Sequence, residues 1–167
     1  MKDKLRDAYR IGNQFFQTDG LTNYTCNTYN IFEANNTIYV VMAYSQGEVL
    51  DYKEDRSIKD ILTITKSVAK AILRMHQNGY LYLDIKTDNV FFLKDTLDLI
   101  QLFDFDTLFP ISYEKRKNVD YQNKISYTEG FAPLEQALGN FNQLTIQSDI
   151  YGIGALLFYL LFHRVPT

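Results

Sequence analysis

The sequence predicts an α+β protein with a strand-bearing first part and a mainly helical second part. Three stretches carry helical periodicity, and two pairs of short runs rich in β-branched and aromatic residues read as strands. Residues Asp3 to about Phe16 read as a helix with Leu5, Ala8, Ile11 and Phe15 on one face, and Asp19-Gly20 breaks it. Tyr29–Phe32 and Thr37–Met42 follow as strands joined by Asn35-Asn36, because asparagine tolerates the positive φ of a tight hairpin. Ser57 is placed to cap a long helix running to about Gln77, with Ile58, Ile61, Leu62, Val68, Ile72 and Met75 as its buried stripe. Asn78-Gly79 supplies the left-handed stop. Two further strands are predicted at Val90–Leu93 and Leu99–Phe103, followed by a polar, irregular stretch from Asp106 to Gly130. The last helix starts near Ser148 and is apolar almost all round, which predicts burial.

The chain has 167 residues, 46% hydrophobic and 22% charged, as in an ordinary globular domain. A net charge of -3 argues against a nucleic-acid surface, which is usually basic. One cysteine, Cys26, excludes an internal disulfide, and with only His76 and His163 beside it no zinc set is available. The charged start Met1-Lys2-Asp3-Lys4 is not followed by an apolar run, so no signal peptide is expected. Ile150 to Phe162, the most apolar run, is short of the roughly 20 residues a membrane helix needs. The expectation is a cytoplasmic protein with no membrane segment and no nucleic-acid partner.

Asp84, Asn89 and Asp104 carry the chemistry. Asp84 and Asn89 lie in the loop Tyr82-Leu83-Asp84-Ile85-Lys86-Thr87-Asp88-Asn89 after the long helix, and Asp104 ends the second strand of the next hairpin. That hairpin is expected to bring Asn89 and Asp104 together. Two oxygen ligands with a nearby carboxylate and the Lys86 ammonium suit Mg²⁺ and phosphate, because Mg²⁺ takes hard oxygen ligands and keeps water and phosphate as the rest. Phosphoryl transfer needs positioning and charge neutralisation more than covalent help.

Five segments in order resemble the protein kinase family. Asp84-x-Lys86-x-x-Asn89 resembles the catalytic loop, and Asp104-Phe105-Asp106 resembles the magnesium-binding Asp-Phe-Gly. Thr128 to Gln136 is similar to the end of the activation segment, Asp149-Ile150-Tyr151-Gly152-Ile153-Gly154 to the opening of the large C-lobe helix, and Val40–Tyr44 to the strand entering the hinge. The resemblance implies a kinase-like fold of the eukaryotic-like, bacterial Ser/Thr type, with residues 1–43 in a partial N-lobe and 44–167 in the hinge and C-lobe. It implies transfer of the ATP γ-phosphate to serine or threonine hydroxyls of a protein substrate. Asp84 would orient that hydroxyl or accept its proton, Lys86 would hold the γ-phosphate, and Asn89 and Asp104 would ligate Mg²⁺. Backbone groups of Ala43 and Ser45, in the hinge stretch Met42-Ala43-Tyr44-Ser45, would meet the adenine edge, with Met42 as gatekeeper and Phe91 beneath the base. Asp149 would accept backbone N–H groups of the Asp84 loop. Lys86 and Thr128 are what imply Ser/Thr rather than tyrosine specificity.

The departures are as specific as the matches. The sequence has no Gly-x-Gly-x-x-Gly, and no strand lysine for the α- and β-phosphates is evident. Asp7 stands where the family's helix carries a glutamate, and is expected to be a solvated acid. Leu83 replaces the arginine before the catalytic aspartate, which predicts activity independent of phosphorylation in the following segment. Asp106 replaces a flexible glycine, which is expected to restrict Phe105. Glu135 is expected to lack its usual arginine partner. The chain is therefore expected to be a fragment incomplete at both ends, with the last helix partly uncovered. Two other readings stay open: a pseudokinase-like binding module, and a small-molecule phosphotransferase of the aminoglycoside type.

Overall fold

In the computed structural model the described residues are 6, 10, 24–50, 55–93, 96–116 and 126–166. Of the helix expected over residues 3–16, only Arg6 and Arg10 are described, and both are helical. Leu5, Asp7, Ala8, Ile11, Phe15 and the Asp19-Gly20 break lie outside the described residues. Arg6 pairs with Glu33 at 3.2 Å.

Strands β1 (Thr28–Ala34) and β2 (Thr37–Met42) form an antiparallel hairpin in which Ala34 faces Thr37. Asn35 and Asn36 take φ of 50° and 58°, the left-handed pair that a two-residue turn needs. Strand β3 (Gly47–Val49) pairs with β5 (Val90–Leu93), which pairs with β6 (Ile100–Leu102); β4 (Tyr80–Leu81) pairs with β7 (Phe109–Pro110). The N-terminal segment is tied to the second sheet where Leu102 N donates to Tyr24 O at 2.9 Å.

Helix α1 (Ile58–Gln77) begins as its sequence predicts, with the Asp60 amide donating to Ser57 Oγ at 3.2 Å. It ends at Asn78, followed by Gly79 at φ 85°. Its buried stripe is Ile61, Ile64, Ser67, Val68, Ala71, Ile72 and Met75. Ile58 and Leu62, expected in that stripe, are exposed at 68% and 54%. Ile64 takes the inward position instead, since residues three, four and seven apart share a helix face and Ile61, Ile64, Val68 and Ala71 form one.

After the short helices α2 (Tyr113–Arg116) and α3 (Leu134–Ala137) comes α4 (Ile146–Phe162). It opens two residues before the predicted start, and Thr145 N donates to Ser148 Oγ at 3.2 Å. Helices α1 and α4 pack together and, with β5 and β6, enclose one core built on Ile64, Val68, Ile72, Met75, Tyr82, Val90, Leu102 and Leu156. α4 is not buried all round: Ser148, Asp149, Gly152, Ala155, Leu156 and Leu160 face inward, while Ile150 and Phe162 are more than half exposed. The exposed apolar side matches the expectation of a partly uncovered helix. Among the described residues no helix is long and apolar enough to cross a membrane.

Candidate active site

The loop between β4 and β5 is short, and its backbone is held from below. Asp149, in the first turn of α4 and 1% exposed, accepts the Tyr82 amide at 2.9 Å and the Leu83 amide at 2.8 Å. His76, near the end of α1, adds a third contact to the same carboxylate at 2.7 Å. A buried carboxylate needs such partners, because an unpaired one costs several kcal/mol. Leu83 takes φ 64°, a strained value for a branched side chain, and packs with Leu81, Phe109 and Leu144. The position before Asp84 is thus apolar and dry, as the sequence indicates.

Above this floor three side chains converge on Asp84. Lys86 Nζ lies 2.8 Å from Asp84 Oδ2, Asn89 Nδ2 donates to the same oxygen at 2.6 Å, and Thr128 Oγ1 donates to Oδ1 at 3.0 Å. Lys86 Nζ also reaches Thr128 Oγ1 at 3.5 Å. Asp84 is 7% exposed, so its orientation is fixed by named donors rather than by water. Asn89 sits in the 3-10 turn Thr87–Asn89, whose Asn89 carbonyl accepts the Phe103 amide at 3.0 Å. That bond sets Asp104, exposed and at φ 59°, beside the turn.

Tyr82 and Phe105 close the rear of the site. Tyr82 is fully buried, its hydroxyl donates to the Phe103 carbonyl, and its ring meets Phe105 edge-on at 6.0 Å. Burial, reinforced by the negative charges of Asp84, Asp104, Asp149 and Asp106, holds the Tyr82 phenol well above the ordinary tyrosine range. The hydroxyl is therefore a donor at any physiological pH. Thr107 Oγ1 donates to Tyr82 O at 2.8 Å, which links the segment after Asp104 to the same loop.

Of the predicted nucleotide-contacting residues, Met42 ends β2, Ala43, Tyr44 and Ser45 lie between β2 and β3, and Phe91 lies in β5. Met42 and Tyr44 are exposed, Tyr44 at 90%. Ala43 N donates to Asn27 O at 2.7 Å, and Ala43 O accepts the Cys26 thiol at 3.0 Å. Ser45 Oγ donates to Gln101 Oε1 at 2.6 Å. Phe91 meets Phe103 edge-on at 5.5 Å. Cys26 is buried, and burial raises its thiol above the usual range despite hydrogen bonds to Ser45 and Ala43 that lower it. Its thiol donates to the Ala43 carbonyl from a buried position, which disfavours the thiolate a nucleophile needs.

Some participants carry little signal in the sequence. Glu135, expected to lack a partner, accepts Ser148 Oγ at 2.7 Å, because α3 lies against the start of α4. Gln136 donates to Leu83 O and to Ser126 O. His76 and Gln136 are found by pairing partners 73 and 53 residues apart, which periodicity cannot reveal.

A family model described as "Protein kinase domain" matches residues 15–167. The serine/threonine-protein kinase PrkC of Bacillus subtilis is 30% identical over 83% of this chain and 21% of its own length. Serine/threonine-protein kinase D of Synechocystis is 28% identical over 83% of this chain and 27% of its own length. The twitchin kinase region from C. elegans superposes with a TM-score of 0.73 at 22% identity, covering 99% of this chain and 28% of that one, and shows the fold. The chain spans about a quarter or less of the length of these two bacterial relatives. With the family model matched over residues 15–167, the chain belongs to the protein kinase domain family, and among its relatives are bacterial Ser/Thr kinases.

Proposed function

We propose that this chain is the part of a Ser/Thr protein kinase that transfers the γ-phosphate of ATP, with Mg²⁺, to serine or threonine hydroxyls of a protein substrate. The observation that carries the reading is the convergence of Lys86, Asn89 and Thr128 on one carboxylate, Asp84, at 2.6 to 3.0 Å. In this reading residues 1–43 belong to the N-lobe and 44–167 to the hinge and C-lobe, and the protein acts in the cytoplasm.

The donor set fits a hard divalent cation. Both hydrogen bonds of the Asn89 amide use Nδ2, which leaves Oδ1 as a ligand atom, and Asp104 is exposed beside it. Among the described residues no group of three His, Cys, Asp or Glu side chains could hold a metal. A Mg²⁺ ion held by Asn89 and Asp104 would therefore take its remaining ligands from water and phosphate, as this ion commonly does. When bound, it supplies neutralisation of phosphate charge. Asp84 orients the substrate hydroxyl and accepts its proton. Lys86, already at Asp84, presents an ammonium to the transferred phosphoryl group. Thr128 fixes the second carboxylate oxygen, so that Asp84 presents one geometry to the incoming hydroxyl.

The nucleotide base would lie along Met42–Ser45. Among the described residues no backbone acceptor engages the Ser45 N–H, and Ala43 O has a second lone pair beyond the one Cys26 uses. Phe91 would lie beneath the base.

The other readings are a pseudokinase-like binding module and a small-molecule phosphotransferase of the aminoglycoside type. Labelled ATP offered with Ser/Thr peptides, tyrosine peptides and an aminoglycoside separates the readings. Mg²⁺-dependent label on serine or threonine supports the kinase. Nucleotide binding without transfer to any acceptor supports the binding module, and label on the antibiotic alone supports a small-molecule phosphotransferase.

A further inference from the structure

Leu83 is held at both its amide and its carbonyl. Its φ of 64° costs free energy that the surroundings must offset. Its amide is held by Asp149 from α4 at 2.8 Å. Its carbonyl is held by Gln136 from α3, whose Nε2 donates to Leu83 O at 2.9 Å. The same Nε2 donates to Ser126 O at 3.0 Å, two residues before Thr128. Gln136 is 3% exposed.

Both carbonyl partners require Nε2 to face them, so the amide has a single permitted orientation. That orientation leaves Oε1 buried with no hydrogen-bond partner among the described residues. A buried acceptor without a partner opposes folding, while Nε2 satisfies two carbonyls that an apolar residue here would leave without this donor. What the amide provides is a bridge between the residue preceding Asp84 and the segment bearing Thr128.

We infer that Gln136 is a positioning residue that couples the Thr128 segment to the Asp84 loop, setting the 3.0 Å contact between Thr128 Oγ1 and Asp84 Oδ1. This rests on the kinase reading for its consequence in catalysis, but the coupling itself is a property of the folded chain. Its two donor bonds meet the carbonyls of Leu83 and Ser126, so substitution of those side chains leaves the bridge intact and only a change at Gln136 removes it. A methionine of similar length removes the stranded acceptor but also the donor, and leaves the Leu83 and Ser126 carbonyls without this partner.

The test is Gln136→Met, compared with wild type and with Thr128→Val, by thermal unfolding, amide hydrogen exchange and phosphotransfer. The amides of Phe131 and Ala132, which donate to Thr128 O at 3.1 and 3.0 Å, report the Thr128 segment, and the Leu83 amide reports the loop. The expected result is a midpoint below that of wild type, because the Leu83 and Ser126 carbonyls lose their donor, with exchange at these three amides accelerated by about tenfold or more beyond that at core amides elsewhere, a change that reports local opening. The expected kinetic result is a fall in kcat of about tenfold at unchanged KM for ATP. Adding Gln136→Met to Thr128→Val should then cost little more than Thr128→Val alone, as coupled residues are not additive.

Unchanged exchange at Leu83, Phe131 and Ala132 would overturn the inference. So would exchange raised evenly through the core, which describes packing alone. If Gln136→Met does not fold, Gln136→Leu gives the same exchange comparison. A wild-type protein that transfers no phosphate would refute the kinase reading while the exchange data still decide the coupling.

Discussion

Asp149 Oδ1 accepts the amide of Leu83 at 2.8 Å, joining the first turn of α4 to the residue that precedes Asp84 across 66 positions of sequence. The same carboxylate takes Tyr82 N and His76 Nε2, so one side chain satisfies two loop amides and orients an imidazole. Asp149→Ala would strand two buried amides at about 1–3 kcal/mol each. The expected loss is roughly 3 kcal/mol in urea unfolding, together with rapid exchange of the Tyr82 and Leu83 amides. Asp149→Asn keeps one acceptor and should lose less.

Two buried acids give the protein an alkaline weakness. Cys26 and Tyr82 both have folded values raised above their ordinary ones, chiefly by burial. Their folded forms hold protons that the unfolded chain releases, so this contribution is complete below the unfolded values of about 9 and 10 and is lost as pH rises through the folded values. Stability should therefore decline above about pH 9, and Cys26→Ala should flatten the first part of that decline. A thiol reagent at pH 8 should modify Cys26 at least about tenfold more slowly in the native protein than in urea.

Gly130 takes φ 80°, and a Cβ there would meet Val165 at 2.3 Å. Gly130→Ala combines left-handed strain with a clash, and should cost about 1–3 kcal/mol. Val165→Gly added to it should return part of that loss in a thermal melt, because it removes the clashing Cβ and its methyls but not the strain, whereas Val165→Ala keeps the Cβ.

Leu83 sits in an apolar cluster where a phosphate-binding arginine would need a polar one. Ser126→Asp should therefore change phosphotransfer by less than about twofold, measured as initial rate at saturating ATP. A large rise would show that another cation receives the charge.

The sequence made the local elements legible where a local cause exists. Asn35-Asn36 formed its turn, Ser57 its cap and Asn78-Gly79 its stop. Periodicity misplaced Ile58 and Leu62, because an amphipathic stripe gives a face and not its edges, and the neighbours that cover a face are tertiary. The motif residues Asp84, Lys86, Asn89 and Thr128 came together as their spacing and resemblance imply. His76 and Gln136 were not legible, since each acts through a carboxylate or carbonyl far away in sequence. Glu135 looked unpaired because its partner, Ser148, is an ordinary helix-start residue.

The most direct test is Mg²⁺-dependent transfer of label from γ-labelled ATP to serine and threonine peptides, by wild type and by Asp84→Asn. The account predicts transfer by wild type and a fall of about 10²–10⁴ in kcat for Asp84→Asn, the range for a lost general base, in a variant that still unfolds cooperatively. Transfer by Asp84→Asn at the wild-type rate would contradict it.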